Sequence, residues 1–322
     1  MVDAKALIVY SLPGESEFQI SNGARRRGIS SKLTWIMRPF DQQREPIYFG
    51  MSPPSRLSTF PSIELNEAPL LAETMKDHYL KNAERSIDFA TKTEGKVILS
   101  RIKKLERRID LQRSLGRYRE MYPNSFVYLF HAPDIGTWMG ATPEVLLSAR
   151  AEEHSTYALA GTRWGDDLFS QKEFDEQMLV VRDILDILSD REVEVGDVRE
   201  SVYGNLRHLK TELRWIESAS YMKISELLHP TAAVNGFPRR EANGLILKME
   251  SHPRSYYTGY LGIIEAETSA NLFVNLRCMQ LFRDSALLYA GGGINSKSDP
   301  KHEWEECGRK FKTIEEALEF DD

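Results

Sequence analysis

Several absences narrow this chain before any motif does. Its 322 residues hold two cysteines, Cys278 and Cys307, too few for a disulfide framework and in keeping with a reducing cytoplasm. Seven histidines are scattered without His-Glu-x-x-His or paired Cys-x-x-Cys spacing, which argues against zinc. No Gly-x-Ser-x-Gly elbow occurs, and the glycines match neither the dinucleotide nor the P-loop fingerprint. No apolar run approaches ~18 residues, so no helical membrane span is expected. The opening "MVDAKALIVYSLPGESE" has no cleavage signature, so no secretion signal is expected either. Basic charge is also short. Lys and Arg number 42 against 48 Asp and Glu, a net charge of −6 that argues against a broad nucleic-acid footprint. A soluble cytoplasmic protein is expected, in which any small anionic ligand is held by local Arg or Lys, backbone amides or a metal.

What is present is ordinary for a globular chain, with 41% apolar and 28% charged residues and no internal repeat. Residues 40–62 carry Pro46, Pro53, Pro54 and Pro61 and read as loop. "LAETMKDHYLKNAERSIDFA" (71–90) predicts a helix, and "KVILSR" (96–101) a strand. "IKKLERRIDLQRSL" (102–115) predicts an amphipathic helix with a solvated basic face. The runs "FVYLFH", "TWMGAT", "VLLSAR" and "TYALAG" then follow closely, a spacing that suits an antiparallel meander. Ser170 and Glu173 form a capping-box pattern opening a helix to about Leu188. Phe174, Met178, Val181, Leu185 and Leu188 would be its core-facing stripe, with Glu176 pointing away from it. "YYTGYLGIIEA", "NLFVNLRCMQLF" and "ALLYAG" read as strands before a closing helix with Asp299 as N-cap and Pro300 at its first position. Helices and antiparallel strands mix along the whole chain, which reads as a single α+β domain.

The stretch "YAGGGINSKSDPKHEWEECGRKFKTI" (289–314) raises the chemical question. Glu303 and Glu306 lie one turn apart on the closing helix, with Lys310 a turn later. Glu173 and Glu176 repeat the spacing at the start of another helix. Taken singly, such a pair reads first as solvated surface, and Glu173 equally as a cap. Two such faces meeting would offer oxygens to a hard divalent cation such as Mg2+, with Glu176 and Glu306 the firmer pair. "AGGGIN" (290–295) reads either as a tight turn or as backbone N–H groups converging on an anion. Lys96 at a strand start and Glu144 at the end of "GATPE" are unremarkable alone.

In their order, "KVILSR", "GATPEVLLS", "LAGTR", "KEFDEQ", "HLKT", "LLHPTAAVNGFPR", "YTGYLG", "NLRC", "AGGGI" and "DPKHEWEECGRK" resemble the chorismate-utilising enzymes, and among them the isochorismate synthases, over about residues 75–316. The resemblance implies antiparallel sheets packed with helices and a site in the cleft between them. Residues 71–322 would form the chorismate-binding catalytic region and residues 1–70 a shortened N-terminal part of the same fold. It also implies Mg2+ at Glu176 and Glu306, with Glu173 and Glu303 beside them. Lys96 matches the base that activates water, and Glu144 the acid facing the departing hydroxyl. Tyr257, Arg277 and Lys310 match residues holding the substrate carboxylates, and the glycine turn their cradle. His208, Thr231 and the backbone at Gly161, Thr162, Gly292 and Gly293 match other pocket positions. Those roles require Lys96 neutral, its pKa brought below ~10.4 by burial or cationic neighbours. They require Glu144 protonated near neutral pH, through acidic neighbours or an apolar wall.

Amine-transferring relatives carry a non-basic residue where Lys96 stands, so water is the implied nucleophile and no glutaminase subunit is expected. Aminodeoxychorismate synthases often have Lys in place of Ala160. The implied activity is a Mg-dependent isomerase that adds water at C2 of chorismate and loses the C4 hydroxyl, serving menaquinone or siderophore biosynthesis as a monomer or weak dimer. A salicylate synthase, which adds pyruvate elimination, and an inactive chorismate-binding relative stay open. The chain departs from the pattern in "GTRWGDD", which lacks an arginine usual after Thr-Arg. It departs also at Gln177 for His, Ala232 for Pro and Asn235 for Gly.

Overall fold

Strands buried on both faces need unbroken apolar runs, and this chain supplies them. Leu33–Arg38 and Gly136–Thr142 are buried at every position, while Glu153–Trp164 largely alternates. The computed structural model describes residues 5–29, 33–165, 168–217, 220–265 and 269–321, so Asp166 and Asp167 of "GTRWGDD" and Ala266 of "YYTGYLGIIEA" lie outside the described residues. The N-terminal elements are β1 (Lys5–Ser11), β2 (Gln19–Arg26), β3 (Leu33–Arg38), β4 (Ile47–Met51), β5 (Ser55–Arg56), α1 (Lys76–Thr93), β6 (Lys96–Leu105) and α2 (Leu111–Met121). Next come β7 (Phe126–Ala132), β8 (Gly136–Thr142), β9 (Val145–Arg150), β10 (Glu153–Trp164), α3 (Gln171–Ile187), β11 (Glu194–Val195), β12 (Arg199–Tyr203) and β13 (Leu206–Ile216). The chain closes with α4 (Tyr221–Leu228), β14 (Gly236–Phe237), α5 (Arg239–Met249), β15 (Tyr260–Glu265), β16 (Ser269–Val274), β17 (Cys278–Leu281), β18 (Ala286–Ile294) and α6 (Pro300–Glu315).

Every strand pairing is antiparallel, and the described strands join one hydrogen-bonded system, an α+β fold as expected. The first strands are woven into the rest, β1 onto β7 and β3 onto β15. An aromatic core of Trp35, Phe126, Tyr128, Phe130 and Trp138 fills the interior, with Phe126 and Phe273 stacked at 4.3 Å. Val180, Val181 and Ile184 of α3 and Ile224 and Leu228 of α4 pack with β9, β10, β13, β15 and β16. Leu115 and Tyr118 of α2 and Phe311 and Ile314 of α6 pack with β1, β7, β8, β17 and β18. Among the described residues, no helix is long and apolar enough to cross a membrane.

Several local expectations are corrected by long-range pairing. The 102–115 segment is not one helix: Ile102 to Leu105 continue β6 because they pair with Tyr289 to Ala286 of β18. The helix waits for Asp110, whose carboxylate accepts the Arg113 N–H at 2.9 Å. Residues 40–62 are not all loop, since β4 pairs with both β2 and β3 between the prolines. The 71–90 helix begins only at Lys76. The meander breaks after β8, which pairs with β7 and β17 while β9 pairs with β10 and β16. Glu144 sits in that break. The α3 stripe is rotated: Phe174 and Met178 are 40% and 41% exposed, and Glu173, Gln177, Val180, Val181 and Ile184 are the buried face. Gln177 is tolerated there because its Nε2 donates to Ala158 O and to Thr211 Oγ1, each at 3.0 Å. The glycines 291–293 are no turn but part of β18, opposite Ser100, Leu99 and Ile98.

Beyond Val97 the outer edge of β6 has no strand neighbour among the described residues, because β14 covers only Lys96 and Val97. Other groups finish it. Asn235 O accepts the Ile98 N–H, Arg254 Nη2 donates to Ile98 O at 2.6 Å, Glu250 Oε1 accepts the Ser100 N–H at 2.7 Å and Thr74 Oγ1 accepts the Ile102 N–H at 2.9 Å.

Candidate active site

A cavity of ≈ 420 Å³ opens between β6, β10, β18, α3 and α6. Every catalytic, metal and substrate-binding candidate named from the sequence lines it except Thr231. Lys96, the first residue of β6, is 6% exposed. Burial lowers its pKa, against the pull of Glu176, Asp183 and Glu144. Burial therefore does this alone, and the expected cationic neighbours are replaced by anions. Glu144 is 4% exposed. Burial pushes its carboxyl up to about 8, although Lys96, Arg277 and Thr231 all work to lower it. Its charged neighbours are cations, not the acids considered from sequence, so desolvation again decides. Thr231 is buried but not among the lining residues; its hydroxyl has no hydrogen-bond partner among the described residues, and it acts to hold the Glu144 carboxyl down.

The four acidic residues line one side, each with an oxygen already engaged. Glu173 Oε2 takes the Ser170 N–H at 2.8 Å, the Ser170 hydroxyl at 2.6 Å and Arg163 Nη2 at 2.8 Å, so the capping role is present. Burial would raise its pKa, but these donors hold it below the ordinary value. Glu176 Oε1 takes Asn295 Nδ2 at 3.2 Å, and Glu303 Oε1 takes the Ser298 hydroxyl at 2.7 Å. Burial and the neighbouring Glu306 raise both carboxyls, with Glu173 adding to the rise at Glu176. Glu306 is also pushed up by burial but ends lowered, because Lys310 Nζ sits 2.7 Å from Oε1. The same ammonium donates to Gly291 O at 2.8 Å. As they stand, no three His, Cys, Asp or Glu side chains among the described residues form a ready metal cage.

Two glycines explain how helices come so close. Gly161 sits at a bulge where β10 slips against β13, with φ +66°, and a Cβ there would meet Glu173 O at 2.9 Å. The first turn of α3 thus rests on bare backbone. A Cβ on Gly292 would meet Glu303 Oε2 at 3.4 Å and Glu306 Oε1 at 3.8 Å, so the strand leaves an open floor beneath α6. Across the bulge, His208 Nδ1 lies 3.2 Å from the Thr162 hydroxyl. Burial, then Arg277 and Lys310, lower its pKa to about 3, so the ring is neutral. Arg277 is 9% exposed with φ +48°, a left-handed backbone unusual for its type. Its Nη1 reaches Thr313 Oγ1 at 3.5 Å. Tyr257 stacks on Tyr289 at 5.3 Å.

Sequence reasoning missed Asn295, Ser298, Arg163, Lys172 and the Arg309–Trp164 pair, whose cation lies 5.0 Å from the ring centroid. Lys172 was legible: it is one helical turn before Glu176 and 4.0 Å from it. Asn295 and Ser298 gave only a general polar signal ahead of the α6 cap.

A family model described as chorismate binding enzyme matches residues 55–319. The isochorismate synthase EntC of Escherichia coli strain K12 is 31% identical over 244 residues, 70% of this chain and 62% of that protein, so this chain spans under two thirds of its length. The vibriobactin-specific isochorismate synthase of Vibrio cholerae is 27% identical over 324 residues, covering 92% of this chain and 82% of that protein. The solved structure of MenF, the menaquinone-specific isochorismate synthase of Escherichia coli, superposes with a TM-score of 0.82 over 98% of this chain and 89% of that one. At 20% identity that likeness speaks for the fold.

Proposed function

The chain belongs to the chorismate binding enzyme family, and from that premise we propose that it is an isochorismate synthase, an isomerase that takes chorismate to isochorismate. The observation that carries the reading is the pair Lys96 and Glu144, both buried on one cavity, with burial driving the amine toward its neutral form and the carboxyl toward its protonated form. An amine base and a carboxylic acid at neutral pH are what the reaction asks for. Water forms a bond to C2, the C4–O bond breaks and the ring double bonds shift between them. Lys96 takes a proton from the attacking water, and Glu144 gives one to the departing hydroxyl, which leaves as water. Return of the proton from Lys96 to Glu144 resets the pair, and no oxidant enters.

Arg277 offers a fork to a substrate carboxylate, with Tyr257, Lys310, neutral His208 and the backbone at Gly161, Thr162, Gly292 and Gly293 completing the pocket. Buried, mutually repelling carboxylates above a side-chain-free floor fit a hard cation that takes few protein oxygens and keeps its waters. Glu176 and Glu306 would hold Mg2+, with Glu173 and Glu303 beside them, and the ion would supply charge neutralisation for the substrate dianion. Residues 71–322 would form the catalytic region and residues 1–70 a shortened N-terminal part of the same fold, a reading supported by the cavity residues, which all fall between Lys96 and Lys310. With Lys96 serving water, ammonia and a glutaminase subunit have no part. Incubation with chorismate and Mg2+ followed by chromatography tests this: a reversible chorismate–isochorismate mixture is expected, and steady release of salicylate and pyruvate, or no turnover, overturns it.

A further inference from the structure

The loop from α4 to β14 runs between the two proton-transfer residues. At one end Ala233 and Val234 line the same cavity as Glu144, and Thr231 of the same loop acts to hold the Glu144 carboxyl down. At the other, Asn235 O accepts the Ile98 N–H at 3.2 Å and Phe237 pairs with Lys96 itself. Within the loop, the N–H groups of Val234 and Asn235 both donate to Thr231 O, at 3.1 and 3.0 Å. Whatever fixes this loop therefore fixes how the acid sits relative to the base's strand.

Arg239, the first residue of α5, does so from outside the cavity. Nη1 donates to Leu227 O at 2.9 Å, Nη2 to Leu228 O and Pro230 O, each at 2.8 Å, and Nε to Pro230 O at 3.2 Å. Leu227 and Leu228 end α4, where carbonyls lack partners inside the helix, and a guanidinium completes them. The loop grips back: Asn235 Nδ2 donates to Arg239 O at 2.7 Å, and Asn243 Nδ2 to Asn235 Oδ1 at 3.0 Å. Behind Arg239 stands Asp183 of α3, 4% exposed, its Oδ2 4.0 Å from Arg239 Nε and without a hydrogen-bond partner among the described residues. A buried carboxylate with an idle oxygen is costly unless its charge is used. Here it offsets the half-buried cation the loop depends on.

We propose that Arg239, backed by Asp183, is a positioning residue for the general acid, holding the 229–235 loop, and with it Thr231, beside Glu144 without touching substrate. The catalytic half of this rests on the isochorismate synthase reading; the hold on Glu144 does not. Glu144 is faced by Lys96 of β6, Arg277 ahead of β17 and Thr231 of the loop, and only the last depends on Arg239. Asp183 is faced by Arg239 of α5, the Ala232 amide, Lys96 of β6 and Asp186 of its own helix.

The Glu144 titration can be followed without turnover, as the pH dependence of the thermal-stability difference between each protein and its Glu144→Gln counterpart. Thr231→Val should raise the Glu144 midpoint, and Arg239→Gln should move it the same way. The double variant should move it no further than Thr231→Val does, because both act through one contact. In chorismate turnover, Arg239→Gln should lose roughly 10- to 100-fold in kcat with little change in KM, and Arg239→Lys should recover part of the loss. An unmoved midpoint in Arg239→Gln, or a shift additive with that of Thr231→Val, overturns the proposal. A wild-type protein that leaves chorismate unchanged while the midpoint shift holds overturns the isochorismate synthase reading and leaves the hold on Glu144 standing. Should Arg239→Gln fail to fold, Asp183→Asn decides: a raised midpoint supports the proposal and an unmoved one overturns it.

Discussion

Glu144→Gln should make the protein more stable as it makes it inactive, and only above a certain pH. The folded-state pKa is raised from 4.5 to about 8 by burial. A raised carboxyl contributes most to stability below its unfolded pKa and loses that contribution as pH rises through the folded one. Between pH 4.5 and 7 lie two and a half units at ~1.36 kcal/mol each, so the carboxyl costs about 3 kcal/mol at pH 7 and about 5 above pH 8. Gln has nearly the same shape and nothing to ionise, so the difference between the two proteins traces that cost while other titrations cancel. At roughly 2 °C per kcal/mol for a chain of this size, the variant should melt about 6 °C higher at pH 7 and near the parent at pH 4.5. Circular dichroism melts across that range measure it, and turnover should fall roughly 10²- to 10⁴-fold. A melting difference that stays flat with pH means the folded carboxyl ionises normally, and Glu144 then has no proton to give.

Lys96→Ala should lose turnover by at least roughly 10² while chorismate still binds, and near-normal turnover would reduce Lys96 to a strand-end lysine. Glu306→Gln and Glu176→Gln should abolish Mg2+ binding in calorimetry without lowering the melting temperature; Mg2+ binding that survives both refutes the acidic site. Gly161→Ala should destabilise the protein by about 1 to 3 kcal/mol and weaken Mg2+ binding, since the new Cβ pushes the first turn of α3 off β10. Activity of the parent should fall above pH 8 as Glu144 ionises, and the pH–rate profile of kcat checks it.

Polar residues at short fixed spacing were the legible part of this chain. Glu173 with Glu176, Glu303 with Glu306 and Lys310, and Asp299 as the cap of α6 need only one helix each to be read, and the structure puts all of them where the spacing says. Pairing between distant segments was illegible. The basic run after Lys96 has a helical charge pattern, yet four of its residues extend a strand because β18 lies beside them. Three successive glycines suggest a turn or an anion cradle rather than a strand, because glycine is a poor strand former; they are a strand because β6 holds them, and Gly292 leaves room for α6. The buried face of α3 is illegible for the same reason: Phe174 and Met178 suggest one stripe, but Gln177 is buried because its amide finds two partners on β10 and β13 that no local pattern announces.

The outer edge of β6 has a bearing on how this protein survives at high concentration. A strand with open N–H and C=O groups is a template for another copy's strand, and natural sheets cover such edges. Here the cover is an ion pair rather than a strand: Arg254 and Glu250, 2.7 Å apart, occupy Ile98 O and the Ser100 N–H. Burial would raise the Glu250 carboxyl, but Arg254 outweighs it and keeps the group charged well into acid. The strand that begins at Lys96 therefore owes part of its shielding from self-association to this pair, with Asn235 and Thr74 covering the amides on either side, and a chain losing Glu250 would offer the Ser100 N–H to another copy's strand.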